Sequence, residues 1–240
     1  MRRDYNNTVA HHYQSYRPPL HRLILRKALH QHQQFEKALD VGCGTGKSSI
    51  ALVPFCEAII GIDPSEAMLE RAIAHEKIQY AHYDKARIDF PNASFDLITF
   101  GGALYYAKSR LLLEEILRVA KADSTLLIYD FEVILNKAYE HLDLFKPRSE
   151  IDYNHQEDFA DLITPQDRIK LEVQEEELIG FPIAASELSH LLLSSMDIDA
   201  LSARSSEPEA FRKKMAQQLE SLTFSPLQAI IYYTKYALNR

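Results

Sequence analysis

Cysteine is scarce: the 240 residues contain two, Cys43 and Cys56. Two cysteines do not make a disulfide framework. Cys43 lies among glycines and reads as a small packing residue rather than a nucleophile. No apolar run is long enough to span a membrane. The first residues, Met1-Arg-Arg-Asp-Tyr-Asn-Asn, lack the apolar stretch of a secretory signal, so a cytoplasmic protein is expected. There is no basic excess. The formal net charge is −7, which argues against general nucleic-acid binding. No histidine spacing suits a metal: His11 and His12 are adjacent, and His30 and His32 also point to different helix faces. Repeats and low-complexity tracts are absent. What remains is 46% hydrophobic and 25% charged, ordinary for a soluble globular protein. The length suits one α/β domain, or one domain with a modest cap.

Glycine is also sparse, seven in all, yet three stand in Ala38-Leu-Asp-Val-Gly-Cys-Gly-Thr-Gly-Lys47. An apolar run ends in glycines spaced two apart, and a helical pattern follows. That order suits a strand, a tight turn and a helix start. Glycine serves there because the backbone must turn sharply and approach a ligand closely. A second apolar run, Ala58-Ile-Ile-Gly-Ile62, ends in Asp63. An acid about twenty residues beyond such a loop can accept hydrogen bonds from ribose hydroxyls. The two together predict an adenosine-containing ligand at the carboxyl ends of parallel strands. A nucleotide-triphosphate loop needs four residues between its first glycine and Gly-Lys-Ser. Gly42 to Gly46 leaves three, despite Gly46-Lys47-Ser48. A dinucleotide loop wants G-x-G-x-x-G. Here the third glycine comes one position early, so dinucleotide binding is the less favoured alternative.

Leu39-Asp40-Val41-Gly42-Cys43-Gly44-Thr45-Gly46 closely resembles motif I of the S-adenosylmethionine-dependent methyltransferases with a Rossmann-like fold. Gly61-Ile62-Asp63-Pro64-Ser65-Glu66-Ala67-Met68-Leu69 resembles their acidic-loop motif. Asp84, after Ile78 to Tyr83, matches the acid that faces the adenine amino group, with Lys85 beside it at the adenine edge. Phe90-Pro91 followed by Ser94-Phe95-Asp96-Leu97-Ile98 is similar to their fourth strand. Ala10-His-His-Tyr13-Gln-Ser-Tyr16-Arg17-Pro18 resembles a lid segment in relatives of trans-aconitate methyltransferase. The likeness covers roughly residues 5 to 130. Two departures stand out: Lys121-Ala122-Asp123-Ser124 replaces the usual Lys-Pro-Gly-Gly, and Lys85-Ala86 replaces Ala-Glu.

The alternation of apolar runs and helical patterns predicts a parallel sheet with helices on both faces. Strands are expected at 36–41, 57–62, 78–83, 95–100, 125–131, 168–178 and 227–236. Helices are expected at 19–33, 47–55, from a Ser65 cap to about His75, 111–120, 186–194 and 207–221. The resemblance implies a seven-stranded, mostly parallel Rossmann-like sheet. Its last strand is antiparallel and inserted between strands five and six. One domain is expected over 1–240: a lid (1–33), a cofactor core (34–131), a helical cap insertion (132–165) and C-terminal elements (166–240). Glu172, Glu175, Glu176 and Glu177 read as a charged edge that discourages pairing.

The resemblance implies S-adenosylmethionine as cofactor and S-adenosylhomocysteine as product. Gly42, Gly44 and Gly46 would bring backbone to the tail and ribose, and Asp63-Pro64 would meet the ribose. Met68 would pack on the adenine face or, as methionines on helices often do, in the core. Gly101-Gly102 would approach the methionine tail, or be a plain turn. Tyr13 could face the sulfonium, and Arg17 could pair with the cofactor carboxylate. Tyr105 and Tyr106 are candidate substrate-pocket residues. Tyr153, His155 and His11 are further pocket candidates, but the sequence singles out no catalytic base. No Asn/Asp-Pro-Pro-Tyr follows the fourth strand, where Gly101-Gly102-Ala103-Leu104 stands. That absence argues against amino methylation of nucleobases or glutamine, and a lid and cap would enclose a pocket, so a small-molecule acceptor is expected. A nicotinamide-dependent oxidoreductase and a non-catalytic cofactor-binding regulator are the alternatives. Oligomeric state is not legible.

Overall fold

The computed structural model describes residues 18–29, 33–84, 87–144, 153–195, 208–220 and 226–238. Its strands are β1 (Phe35–Val41), β2 (Cys56–Asp63), β3 (Ile78–His82), β4 (Phe95–Gly101), β5 (Ala120–Val133), β6 (Ile169–Phe181) and β7 (Leu227–Leu238). Its helices are α1 (Leu20–Ala28), α2 (Lys47–Leu52), α3 (Glu66–Leu69), α4 (Arg110–Val119), α5 (Asn136–His141), α6 (Ala185–Ser195) and α7 (Pro208–Glu220). The seven strands run in the order β3-β2-β1-β4-β5-β7-β6. The first five pair in parallel, and the last strands are antiparallel. The Ile134 N–H, just past β5, donates to the Gln228 carbonyl at the start of β7 (2.9 Å). β7 thus lies between β5 and β6, as the resemblance implies. Reversal of strand order at β1 and β4 is where ligands bind in such sheets, outside the carboxyl ends.

The chain divides into two compact units. One comprises Pro19–Phe131, Tyr153–Glu177 and Ile231–Arg240. The other comprises Met1–Pro18, Glu132–Asp152 and Leu178–Ile230. In the first unit, alternation sorts the side chains of the central strands. Leu39, Val41, Ile60, Ile62, Ile98 and Phe100 face a buried cluster with Leu112, Leu113, Ile116 and Val119 of α4. Each such side chain contributes roughly 1.5–3 kcal/mol on burial. The opposite face of β1 carries Asp40, against Ser48 and Ser49 of α2. Helices therefore cover both faces. Ser109 caps α4 by accepting from the Leu112 N–H (3.1 Å), which explains the start at Arg110. In the second unit, α6 packs against α7.

Three expectations change. α3 ends at Leu69, not near His75. Its outward residues Glu66, Ala67 and Glu70 are exposed, so no apolar face is buried to extend it. The Ile73 N–H instead donates to the Thr45 carbonyl. The Ser65 side chain makes no cap. Third, the segment 132–165 holds a single helix, α5, among the described residues, and 153–164 is irregular. β6 lies at the sheet edge with Glu172, Glu175, Glu176 and Glu177 exposed, as expected of a guarded edge. Among the described residues no helix is long and apolar enough to cross a membrane.

Candidate functional site

The loop after β1 is held by β2. The Gly42 and Cys43 N–H groups both donate to the Ile62 carbonyl, at 2.8 and 3.1 Å. Gly42, Gly44 and Gly46 have φ of 73°, 53° and 80°, the left-handed region that side chains resist. Each glycine has its own surroundings. A Cβ on Gly42 would collide with the Ala103 side chain, and one on Gly46 with the Tyr80 hydroxyl. A Cβ on Gly44 would meet nothing within 4 Å. Two of the glycines thus permit packing, and the third presents bare backbone to open space. The contact of Gly42 with Ala103 also joins this loop to the turn after β4. Cys43 is buried in the loop.

Asp63 ends β2 and is 8% exposed. Its Oδ2 accepts from the Gly44 N–H (2.9 Å) and its Oδ1 from the Ser65 N–H (2.8 Å). A carboxylate has about four acceptor positions, so each oxygen keeps one. Beneath the loop, Asp40 is fully buried. Its Oδ2 accepts from Ser48 and Ser49 hydroxyls (2.6 Å each) and its Oδ1 from Thr99 (3.0 Å). Burial pushes the Asp40 carboxyl above its usual range, against those donors, and the nearby Asp63 charge adds to the rise. The sequence reading gave Asp40 no separate role. Its signal was an acid inside an apolar run.

Other expected residues are placed less tightly. Pro64 is exposed and Met68 half-buried. Asp84 is exposed, and its Oδ1 lies 3.4 Å from the Arg87 N–H. Tyr13, Arg17 and Lys85 lie outside the described residues. Gly101 is packed tightly: a Cβ there would sit 2.8 Å from the Tyr129 hydroxyl and 3.1 Å from Ser48 Cβ. Gly102 has φ 72°, and its Cβ would sit 3.1 Å from Asp130 Oδ1.

Past that turn the structure assembles a second group of side chains. Asp130, near the end of β5, accepts from the Phe131 N–H (2.7 Å) and the Tyr153 hydroxyl (2.7 Å). The Tyr153 hydroxyl also lies 3.3 Å from the Gly102 carbonyl. His155 Nδ1 lies 3.2 Å from Asp130 Oδ2. That separation allows an ion pair when the ring is protonated. The angles are not those of a hydrogen bond, and Nδ1 has no such partner among the described residues. The ring is held by stacking on Tyr232 (5.9 Å, 11°) and by the edge of Tyr153 (4.6 Å). Tyr105 and Tyr106 lie 4.6 and 5.6 Å from the Tyr153 ring. The expected pocket residues Tyr105 and Tyr106 are thus brought together with Tyr153 and His155. Asp130 was missed, although an acid within the apolar run 125–131 was a visible signal.

Residues 39–128 match the family described as a methyltransferase domain. The matched stretch runs from β1 into β5, the part of the sheet that carries the glycine loop. A Saccharomyces cerevisiae relative, Probable S-adenosylmethionine-dependent methyltransferase CRG1, is 28% identical over 155 residues, 56% of this chain and 52% of the relative. Uncharacterized methyltransferase YcgJ of Bacillus subtilis is 29% identical over 126 residues, 48% of this chain and 50% of the relative. The crystal structure of YcgJ superposes with a TM-score of 0.56 at 17% identity, covering 92% of this chain and 98% of that one. At that identity the likeness concerns the fold. The chain spans about half the length, or less, of the curated relatives it matches.

Both thiols are buried, which disfavours their charged form. Burial pushes the Cys56 thiol up to about 12, and pushes Cys43 higher still. Thiolate is the reactive form. Native protein at pH 8 is expected to release no chromophore from a disulfide thiol reagent, and denatured protein to show both cysteines. A thiol reacting within minutes in native protein would return Cys43 to consideration as a reactive group.

Proposed function

We propose that this chain transfers a methyl group from S-adenosylmethionine to a small-molecule acceptor. The observation that carries the reading is Asp63. Backbone donors fix both of its oxygens, leaving an acceptor position on each, beside the open face of Gly44. That pairing fits the ribose and tail of an adenosyl ligand. Gly42 and Gly46 keep the loop close-packed, and Met68 and Asp84 lie on the segments that would flank the adenine. Bound S-adenosylmethionine supplies a methyl already activated by its sulfonium.

The chain's own work is positioning. Holding two reactants in line can supply roughly 7–11 kcal/mol of a barrier. Rigid supports suit that task. Asp40 ties β1, α2 and β4 together beneath the loop through three hydroxyls. The turn at Gly101 and Gly102 is packed against Tyr129 and Asp130, which leads from the cofactor loop toward the aromatic group.

The test is calorimetric titration of the protein with S-adenosylmethionine, S-adenosylhomocysteine and NAD. Micromolar binding of both sulfur ligands, with NAD at least a hundredfold weaker, is expected. Absence of binding by either sulfur ligand, or tighter binding of NAD, would overturn the reading and favour a nicotinamide enzyme.

A further inference from the structure

We propose that Asp130, Tyr153 and His155, with the rings of Tyr105 and Tyr106, form the methyl-acceptor site, and that the acceptor is an amine. The inference rests on the methyl-transfer reading above. Asp130 is a carboxylate set among aromatic rings. Its partners are the Phe131 N–H, the Tyr153 hydroxyl and the His155 ring. Among the described residues no lysine or arginine pairs with it. Around it, Tyr105, Tyr106, Tyr153 and His155 form a connected set with centroids 4.6–5.6 Å apart. Ring faces carry partial negative charge and attract cations, by about 0.5–2 kcal/mol per contact. A carboxylate beside them adds attraction of the same sign. A carboxylate or phenolate acceptor would be repelled by the same group, so the set discriminates by charge.

Position supports the assignment. The Tyr153 hydroxyl reaches the Gly102 carbonyl as well as Asp130. The site therefore shares the turn after β4 with the glycine loop, which touches that turn at Ala103. Both lie at the carboxyl ends of parallel strands, where ligands meet in such sheets. Tyr106 is 65% exposed, and an incoming ligand would cover it.

The chemistry balances. An amine arriving as its ammonium form first loses a proton. His155 Nε2, which no described residue hydrogen-bonds, accepts it. The nitrogen lone pair then forms the new N–C bond while the C–S bond breaks, its electron pair passing to sulfur. The positive charge moves from sulfur to the methylated nitrogen, beside Asp130. The same surroundings would also suit the sulfonium of the cofactor, so the experiment must separate the two cations.

The experiment saturates the protein with S-adenosylhomocysteine, which has no sulfonium, and titrates two probes of similar shape. One is choline, a quaternary ammonium that cannot be methylated. The other is its neutral isostere 3,3-dimethylbutan-1-ol. Choline is expected to bind at least tenfold more tightly than the alcohol. Asp130→Asn, which keeps an acceptor for Tyr153, is expected to weaken choline tenfold or more and leave S-adenosylhomocysteine affinity unchanged. Tyr106→Ala, at an exposed ring that the fold does not need, is expected to weaken choline severalfold. Equal affinity for the two probes, or no binding of choline to the loaded protein, would overturn the proposal. Choline bound only without nucleoside and displaced by S-adenosylmethionine would assign the group to the sulfonium instead. Failure of S-adenosylhomocysteine to bind would overturn the methyl-transfer reading itself.

Discussion

Asp63→Ala is expected to weaken S-adenosylhomocysteine binding by about a hundredfold or more. Hydrogen bonds to a charged acceptor contribute roughly 1.5–3 kcal/mol each, and two ribose hydroxyls would share this carboxylate. Loss of about 2.7 kcal/mol is a hundredfold in affinity. The substitution also removes the acceptor of the Gly44 and Ser65 N–H groups. Leaving those donors unpaired at an 8%-exposed position costs about 1–2 kcal/mol each, less where water replaces the carboxylate. For a chain of this size each kcal/mol lowers Tm by roughly 2–4 °C. Calorimetry well below the variant's own Tm therefore separates lost recognition from lost fold. Wild-type protein is expected to gain Tm on adding the nucleoside, and the variant is not. A folded Asp63→Ala protein that binds within threefold of wild type would remove the ribose role.

Asp40 sets the second large effect. Asp40→Ala is expected to destabilise the protein by about 3–5 kcal/mol, because three buried hydroxyls lose a common acceptor and a void is left. Asp40→Asn keeps the volume and an acceptor, and its consequence is read from pH. Burial raises the Asp40 carboxyl in the folded state. The folded protein then binds more protons than the unfolded chain between the ordinary carboxylate pKa, about 3.9, and the raised one. Its stability contribution is therefore greatest at low pH and falls as pH rises through that window, by at most about 1.4 kcal/mol per pH unit for one proton. Asn does not titrate. Urea denaturation of both proteins across pH 4–8 is expected to show the stability of Asp40→Asn gaining on wild type as pH rises. Taking the difference cancels the other carboxylates. A constant difference across that range would mean that Asp40 folds with an ordinary carboxylate.

What was legible in the sequence was local. A strand, a turn that needs glycine at positive φ, and an acid at the end of the next strand all lie within residues 38 to 63, and the structure realises that order. Strand positions followed from apolar runs because strands buried on both faces tolerate little polarity. The resemblance supplied the place of β7, which periodicity alone does not encode. Helix length was less legible. The α3 pattern ran on to His75 in sequence, but a helix persists where it buries a face, and Glu66, Ala67 and Glu70 found none.

Only the tertiary structure decided which polar groups meet. Ser48 and Ser49 lie eight and nine residues from Asp40, but Thr99 lies 59 away and reaches it because β4 pairs beside β1. Tyr153 and Asp130 are 23 residues apart in the chain. His155 stacks on Tyr232 only because β7 inserts next to β5. The sequence by itself determined a glycine loop and an acid at the end of the next strand, since short-range backbone geometry constrains residue type. The group at Asp130, Tyr153 and His155 arose from strand order and packing, which act between residues far apart in the chain.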